Sequence, residues 1–589
     1  MTVSCRSKGA TELRLAAQAE PITTAGLRPE LFTEPGALSL NRTALVIALV
    51  LLVVAGSGFR AVGLGREALS EDEINKLEAV ADYRVHGLTA ANSEHPFLMK
   101  ALQTVSIVAA EKWNGSYLVA ARPAQLRIST EAALRVPSII FGALTVIVLY
   151  LVTAELFGGE IALITAALWA FDPAAISFNR IAKEDTFLLF FFLLANVFWL
   201  KSQRVAESKR NPEPLYWATA VSFGAMMASK YMPNFFAVSV CYYYIFQGIP
   251  QTRWRMGKKR FLIFFAVMGV TFLLLNPTIL LPGTWRRMAD FASYRRIGHD
   301  GYEFMGRVYT HKFTDWLSGV PWYFYFVFML VKLPVATLAS FFLGLPVVFR
   351  RRIGDGRFFL FFWMLIGFIP LALFGGKFTR YFAPLLPAVL IVASIGLQNI
   401  GRFVTQHLSA FAGNLRGKAY VRAGLYSIVI LASVWASVWA APHYRLYTNW
   451  LGGGVAGAGN YFPQDEFSDA AIRDTIVEIA RRARPQARVA TETVGLASYY
   501  AEQAGRADLQ FVSLSDAEAL KKLSDGDFIM AARGRRYFSN EALLKQLAQS
   551  AQPAFRVPLG EVPAVDVYVL DPPLRAIIES NAGTTDNKR

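Results

Sequence analysis

Three acids, Glu71, Asp72 and Glu73, stand together just past the first apolar run of the chain. Further on comes Glu94-His95-Pro96, with Lys100 close behind. A carboxylate can take the proton of a hydroxyl, and a nearby cation can hold a phosphate. Transfer of a glycosyl group from a lipid phosphate to a hydroxyl needs both. Asp72 and Glu73 also have a plainer reading, as acids that complement the dipole at a helix start. In the chemical reading one carboxylate is the base, and its neighbour orients it or raises its pKa. His95 either caps a helix begun at Pro96 or joins a phosphate site. Lys100, about one turn beyond Pro96 on the same helical face, would bring a cation to such a site.

Two further groups have the same character. Asn179-Arg180 and Lys183-Glu184-Asp185 crowd the junction of two apolar runs. Arg180 and Glu184 have i,i+4 spacing and could simply pair, but Asp185 at the mouth of the next run is a candidate to position an acceptor. Gly375-Gly376-Lys377-Phe378-Thr379-Arg380-Tyr381, with Pro384 and Pro387, sets two cations beside an aromatic ring. Snorkelling anchors look like this. So does a site for a phosphate leaving group, where Arg supplies a forked pair of hydrogen bonds. Lys230-Tyr231 is a weaker copy of that signal. Lys332 lies within an apolar run and is expected to face a polar interior rather than lipid.

The elements that must position these groups are membrane helices. The chain has 589 residues, 54% hydrophobic and 14% aromatic, with mean hydropathy +0.34. About eleven runs approach the ~20 apolar residues that cross a bilayer. They fall near 43–59, 132–157, 160–178, 185–200, 215–229, 232–248, 261–281, 321–349, 358–374, 381–398 and 424–442. Four of the connecting loops are basic, holding Lys201, Arg204, Lys209 and Arg210; Arg253, Arg255, Lys258, Lys259 and Arg260; Arg350, Arg351, Arg352 and Arg357; and Arg402, Arg416, Lys418 and Arg422. The proposed runs put all four on one side, which the positive-inside rule makes cytoplasmic. The net charge of +17 is therefore read as topology, not as nucleic-acid binding. The acidic trio, Asp185, Lys230, Lys377 and Arg380 all fall on the other side, as one site would require.

The expected organisation is mainly α. A disordered cytoplasmic tail (1–42) precedes a transmembrane unit (43–442) with outer loops 60–131 and 282–320. A flexible Gly-rich linker (443–460), a small extracytoplasmic α/β domain (461–575) and a disordered tail (576–589) follow. Within the α/β domain, strands are expected at 487–491, 509–514, 527–532 and 565–570, and helices at 465–484, 515–523 and 539–549. Arg533-Gly534-Arg535-Arg536 reads as a solvated basic turn. Cys5 and Cys241 suggest neither a disulfide framework nor a metal site.

In their order and shared side, these motifs resemble the GT-C membrane glycosyltransferases, closest to the protein O-mannosyltransferase and aminoarabinose-transferase branch (family 39). The likeness rests on Asp72-Glu73, His95-Pro96 with Lys100, Arg180 with Asp185-Thr-Phe-Leu-Leu-Phe-Phe, and Lys377, Arg380, Tyr381, Pro384 and Pro387. Phe97 stands where that family has a second Pro. The resemblance implies a GT-C fold in the cell inner membrane and a polyprenyl-phosphate-sugar donor, with inversion at the anomeric carbon. It implies Asp72 as base and Glu73 as its support. Lys100, Arg180, Lys377 and Arg380 are then candidates for the leaving phosphate, and Asp185 for the acceptor side. The acceptor, a protein, lipid or glycan, stays open, as does a divalent ion shared by Asp72, Glu73 and Asp185. The competing classes are a transporter or flippase of a phosphorylated lipid, which usually places its ions near the bilayer midplane in repeated halves, and a membrane protein whose outer domain binds a partner.

Overall fold

The computed structural model describes residues 40–246, 258–293, 299–407 and 415–585. The expected tail at 1–39, the loop residues Arg253 and Arg255, and the last four residues lie outside the described ones.

Among the described residues, six helices are long and apolar enough to cross a membrane: Arg42–Ala61, Thr130–Phe157, Asp185–Ala206, Gly356–Leu373, Leu386–His407 and Gly417–Ala440. A seventh candidate is the pair Gly159–Phe171 and Pro173–Asn179, bent by 62° where Asp172 caps the second helix. Pro173 cannot donate to the preceding turn, so the helix breaks there. This is a multi-pass membrane protein. The other expected runs are shorter or interrupted. Residues 321–349 divide into Phe324–Lys332 and Val335–Val348, because Pro334 stops the first helix. The Arg42–Ala61 helix exposes Val46, Ile47, Val50, Leu51 and Val54, a stripe at helical spacing suited to lipid. Helices Val335–Val348 and Leu386–His407 meet backbone to backbone. A Cβ on Gly344 would lie 2.0 Å from the Val392 carbonyl oxygen, and one on Gly396 2.0 Å from that of Ser340. Small residues permit this approach, which gives dispersion contacts that lipid cannot replace.

Beyond the last long helix the chain does not form a flexible linker. Asn449 accepts from Gly452 N and donates from Nδ2 to the carbonyls of Leu330 and Leu333, both at 2.7 Å. Gly457 sits so close to Gly452 that an added Cβ would clash at 1.8 Å. The glycines serve close packing here, not freedom. A five-stranded sheet follows, formed by β1 (Arg488–Ala490), β2 (Gln510–Val512), β3 (Phe528–Ala532), β4 (Phe555–Leu559) and β5 (Val562–Val569), in the order β2-β1-β3-β5-β4. β1 pairs parallel with β2 and β3, while β5 runs antiparallel to β3 and β4. Helix Val494–Gln503 and strand β4 were not expected from the sequence. Residues 576–585, expected to be disordered, continue the helix Pro572–Thr585, whose Leu574 and Ile578 are buried.

The sheet unit is packed onto the segment 60–131. Ile74 and Val80 share one core with Ala470, Ile476, Val489 and Tyr500. The Tyr500 hydroxyl accepts from Leu69 N at 2.7 Å and donates to Glu131 at 3.1 Å. The C-terminal unit thus helps to fix the start of the acidic helix.

Candidate active site

The acidic trio opens the helix Glu71–His86. Ser70 is its N-cap, in a capping box with Glu73, so the helix-start reading is correct. The fold nevertheless sends the three carboxylates to three different partners. Glu73 is buried and paired through both oxygens with Arg135, at 2.8 Å each. It also accepts from Ala182 N at 2.9 Å and Ser70 N at 2.9 Å. With both oxygens engaged it is a positioning group. It ties the acidic helix to the Thr130–Phe157 helix and to the 180–184 loop. Glu71 faces the C-terminal unit, bonded to Arg535 at 2.7 Å and near His299 at 3.2 Å. Arg535 also chelates Asp469. Ser468 and Asp469 both adopt left-handed backbone, φ 40° and 64°, and Asp469 accepts from Glu71 N at 3.1 Å. The basic turn around Arg535 is therefore a buried clamp on the helix start, not a solvated loop.

Asp72 also keeps a partly open carboxylate, its side chain 39% exposed against 45% for Glu71, but its partners differ. Its Oδ2 meets Lys183 Nζ in a short ion pair and Arg380 at 3.3 Å. Burial would raise its pKa, but Lys183, Arg380 and Lys76 hold it well below the usual carboxylate range. Burial lowers Lys183 to about 8 despite the Asp72 charge. Behind this pair, Lys76 and Glu184 form a buried bridge at 3.2 Å, so Glu184 does not pair with Arg180. His95 Nδ1 lies 3.6 Å from Glu184. Burial, opposed by Glu184, pushes His95 down to about 3. A neutral imidazole there can offer a hydrogen bond but no charge.

A second patch adjoins the first. Asp185 pairs with Lys230 at 2.6 Å, and its other oxygen is buried without a hydrogen-bond partner among the described residues. Lys230 stands over the Tyr381 ring at 4.9 Å, and Arg380 approaches the same ring at 5.6 Å. Tyr381 thus joins the two patches into one polar surface holding Asp72, Lys183, Arg380, Lys230 and Asp185.

Three expected phosphate ligands point elsewhere. Lys100 is buried and donates to the carbonyls of Asn92 at 2.5 Å and His95 at 3.0 Å. It latches the loop that carries His95, and burial lowers it to about 7. Arg180 donates to the carbonyls of Arg60 at 2.7 Å and Val62 at 2.6 Å, and packs on Tyr444. Lys377 donates to the carbonyls of Val320 and Phe374, and burial lowers it to about 8. In each case carbonyls at element ends need donors, and a long cation is the residue able to reach them. Lys377→Met is expected to destabilise the protein by about 1–3 kcal/mol through those orphaned carbonyls. It should leave the donor KM unchanged, as thermal melts beside steady-state kinetics would show. Asp72, Glu73 and Asp185 do not share an ion site. Each faces its own cation, and no group of three metal-ligating side chains gathers among the described residues.

Sequence reasoning passed over Lys183, though it stands within a motif already singled out. It could not have assigned Arg535 and Asp469, which reach Glu71 from the far end of the chain.

The sequence family described as dolichyl-phosphate-mannose-protein mannosyltransferase matches residues 116–280. The matched segment contains Arg180, Lys183, Asp185 and Lys230, and leaves Asp72 and Arg380 outside. A comparison with curated proteins gives no match. Among solved structures, ArnT from Cupriavidus metallidurans bound to undecaprenyl phosphate is 13% identical, with TM-score 0.48, covering 90% of this chain and 99% of that one. The apo oligosaccharyltransferase of Archaeoglobus fulgidus is 11% identical, with TM-score 0.49, covering 84% and 70%. The S. cerevisiae protein O-mannosyltransferase Pmt1-Pmt2 complex bound to the sugar donor is 16% identical, with TM-score 0.31, covering 45% and 36%.

Proposed function

We propose that this protein is a membrane glycosyltransferase that moves a sugar from a polyprenyl-phosphate donor to an acceptor hydroxyl, with inversion. The observation that carries this reading is the half-open Asp72 carboxylate, flanked by Lys183 and Arg380 beside the family match. In the step, the acceptor oxygen forms its bond to the anomeric carbon as the bond to the phosphate oxygen breaks. The electron pair leaves with the lipid phosphate, and the acceptor proton passes to Asp72. An oxocarbenium-like transition state sheds negative charge onto that phosphate, so cations fixed nearby stabilise it more than the ground state. Lys183 and Arg380 would turn from Asp72 to the phosphate as its charge grows, with Lys230 beside them. The four basic loops support a cytoplasmic face on the other side. The site and the C-terminal unit would then be extracytoplasmic, at the inner membrane of the cell.

Purified protein in proteoliposomes should release polyprenyl phosphate from polyprenyl-phosphate sugars only when an acceptor is present. Absence of transfer with every donor offered would reject the reading. The pH profile is a finer test. Lys183, lowered to about 8, loses its proton as pH rises through that value, so kcat should fall on the alkaline side. In Lys183→Arg the guanidinium keeps its charge, and the alkaline limb should move to higher pH. Coincident profiles would assign the limb to another group.

A further inference from the structure

The turn that presents Arg380 has no cap of its own. Arg380 lies in the 3₁₀ turn Thr379–Phe382, and the first amides of such a turn find no acceptor within it. A Ser, Thr, Asp or Asn just before the turn would ordinarily accept from them. Here that residue is Phe378, whose ring lies 3.9 Å from the Arg380 guanidinium. The cap comes instead from Asp465, 86 residues further on, whose Oδ2 accepts from Thr379 N at 2.8 Å. Phe378 is thereby left to support the arginine.

Asp465 is itself held. It lies in Pro463–Phe467, at the entry to the C-terminal unit, and its Oδ2 also accepts from the Tyr302 hydroxyl at 2.6 Å. Tyr302 is fully buried, with its ring 5.0 Å from His311 and 5.8 Å from Phe378. Lys377 N in turn donates to His311 Nε2 at 3.0 Å. The main chain is therefore pinned at an amide on each side of Phe378, once from the segment 299–320 and once from the C-terminal unit. With the ring fixed beside it, the guanidinium reaches Asp72 at 3.3 Å.

We propose that Asp465 is a positioning residue for the transfer. By capping the turn from the C-terminal unit it aims Arg380 at the leaving phosphate, and Tyr302 keeps it in place. The inference rests on the glycosyltransferase reading. Asp465 acts through the main chain of Thr379 and not on the reacting atoms. An arginine held in its working pose before the ligand arrives loses less freedom on binding. The C-terminal unit then sets both halves of the chemistry, the base through the Arg535 clamp on the acidic helix and the cation through Asp465.

The test measures binding of polyprenyl phosphate to the full-length protein beside sugar transfer. Asp465→Ala should weaken that binding by about 10–100-fold, the worth of a hydrogen bond to a charged group. It should lower kcat by about 10²-fold, the cost of a misplaced group at the reacting centre. Asp465→Asn keeps an oxygen for both donors and should restore binding and kcat to near wild type. Arg380→Ala should weaken binding at least as much as Asp465→Ala. The double variant should be no worse than Arg380→Ala, because a residue that acts through another has nothing to add once the other is gone. Tyr302→Phe keeps the ring and should lose less, and nothing further in the Arg380→Ala background. It carries the same cycle if Asp465→Ala does not fold. Wild-type binding in Asp465→Ala, or in Tyr302→Phe where Asp465→Ala is unfolded, overturns the proposal. So do independent, multiplying losses in the double variant. An equal loss in Asp465→Asn also overturns it, by making the charge and not the hydrogen bonds the agent. The expected binding pattern without any transfer would reject the proposed activity and leave the positioning role standing. No binding of polyprenyl phosphate by the wild type overturns both.

Discussion

Asp72→Asn is expected to lower sugar transfer by about 10²–10⁴-fold, the range of a general base held against its substrate. The substitution keeps the shape and removes the charge. Because the Asp72 carboxylate meets Lys183 and Arg380, the helix cap, the Glu73–Arg135 pair and the Arg535 clamp all remain in place. The melting temperature should fall modestly, because buried Lys183 loses its counter-charge, while transfer collapses. A coupled effect identifies the partner. Lys183 is pushed down by burial and held up by Asp72. Without that carboxylate its pKa should fall further, so the alkaline limb of the residual activity should move to lower pH. Full activity in Asp72→Asn would remove the base from the mechanism. Loss of activity with no movement of the limb would separate Asp72 from Lys183.

Arg135→Met should destabilise the protein by about 3–5 kcal/mol, because it leaves Glu73 as an uncompensated buried charge. The guanidinium bridges both Glu73 oxygens and also donates to the carbonyls of Leu64, Glu67 and Ala68, at 2.7–3.1 Å. The segment leading into the acidic helix is gathered around it. Replacing a buried pair by apolar residues is often neutral. Here the double variant Glu73→Met with Arg135→Met should recover only part of the loss, since removing Glu73 leaves Ser70 N and Ala182 N without their acceptor. Denaturation in detergent, followed by tryptophan fluorescence, measures both. A single variant as stable as wild type would show that the pair does not hold the loop.

The contrast between Asp72 and Glu73 shows how far the sequence reaches. As adjacent acids they look interchangeable, and both are candidates for a catalytic role. In a helix, neighbours point about 100° apart, and here that turn separates an open carboxylate from one enclosed by Arg135. The same holds for the cations. Lys100, Arg180 and Lys377 were singled out correctly as unusual, because a charge in an apolar setting must have a partner. The sequence could not tell whether that partner was a substrate phosphate or the chain's own carbonyls. Lys230, Arg380 and Tyr381 share the same kind of motif, yet the fold turns them toward Asp72 and Asp185.

Apolar runs, turn residues and the order of charged motifs are local features, so the chain alone determined that this is a multi-pass helical membrane protein with a cluster of acids and cations at its span ends. The likeness to lipid-phosphate glycosyltransferases was legible for the same reason. Only the tertiary structure decided which of those charges face one another, that the glycine-rich stretch is packed rather than free, and that Asp469 and Arg535 return from the C-terminal unit to the first loop. Such contacts join residues hundreds of positions apart. They depend on the closing of the helices and on the burial of Ile74, Val80, Val489 and Tyr500 in one core, which no local pattern of residue types encodes.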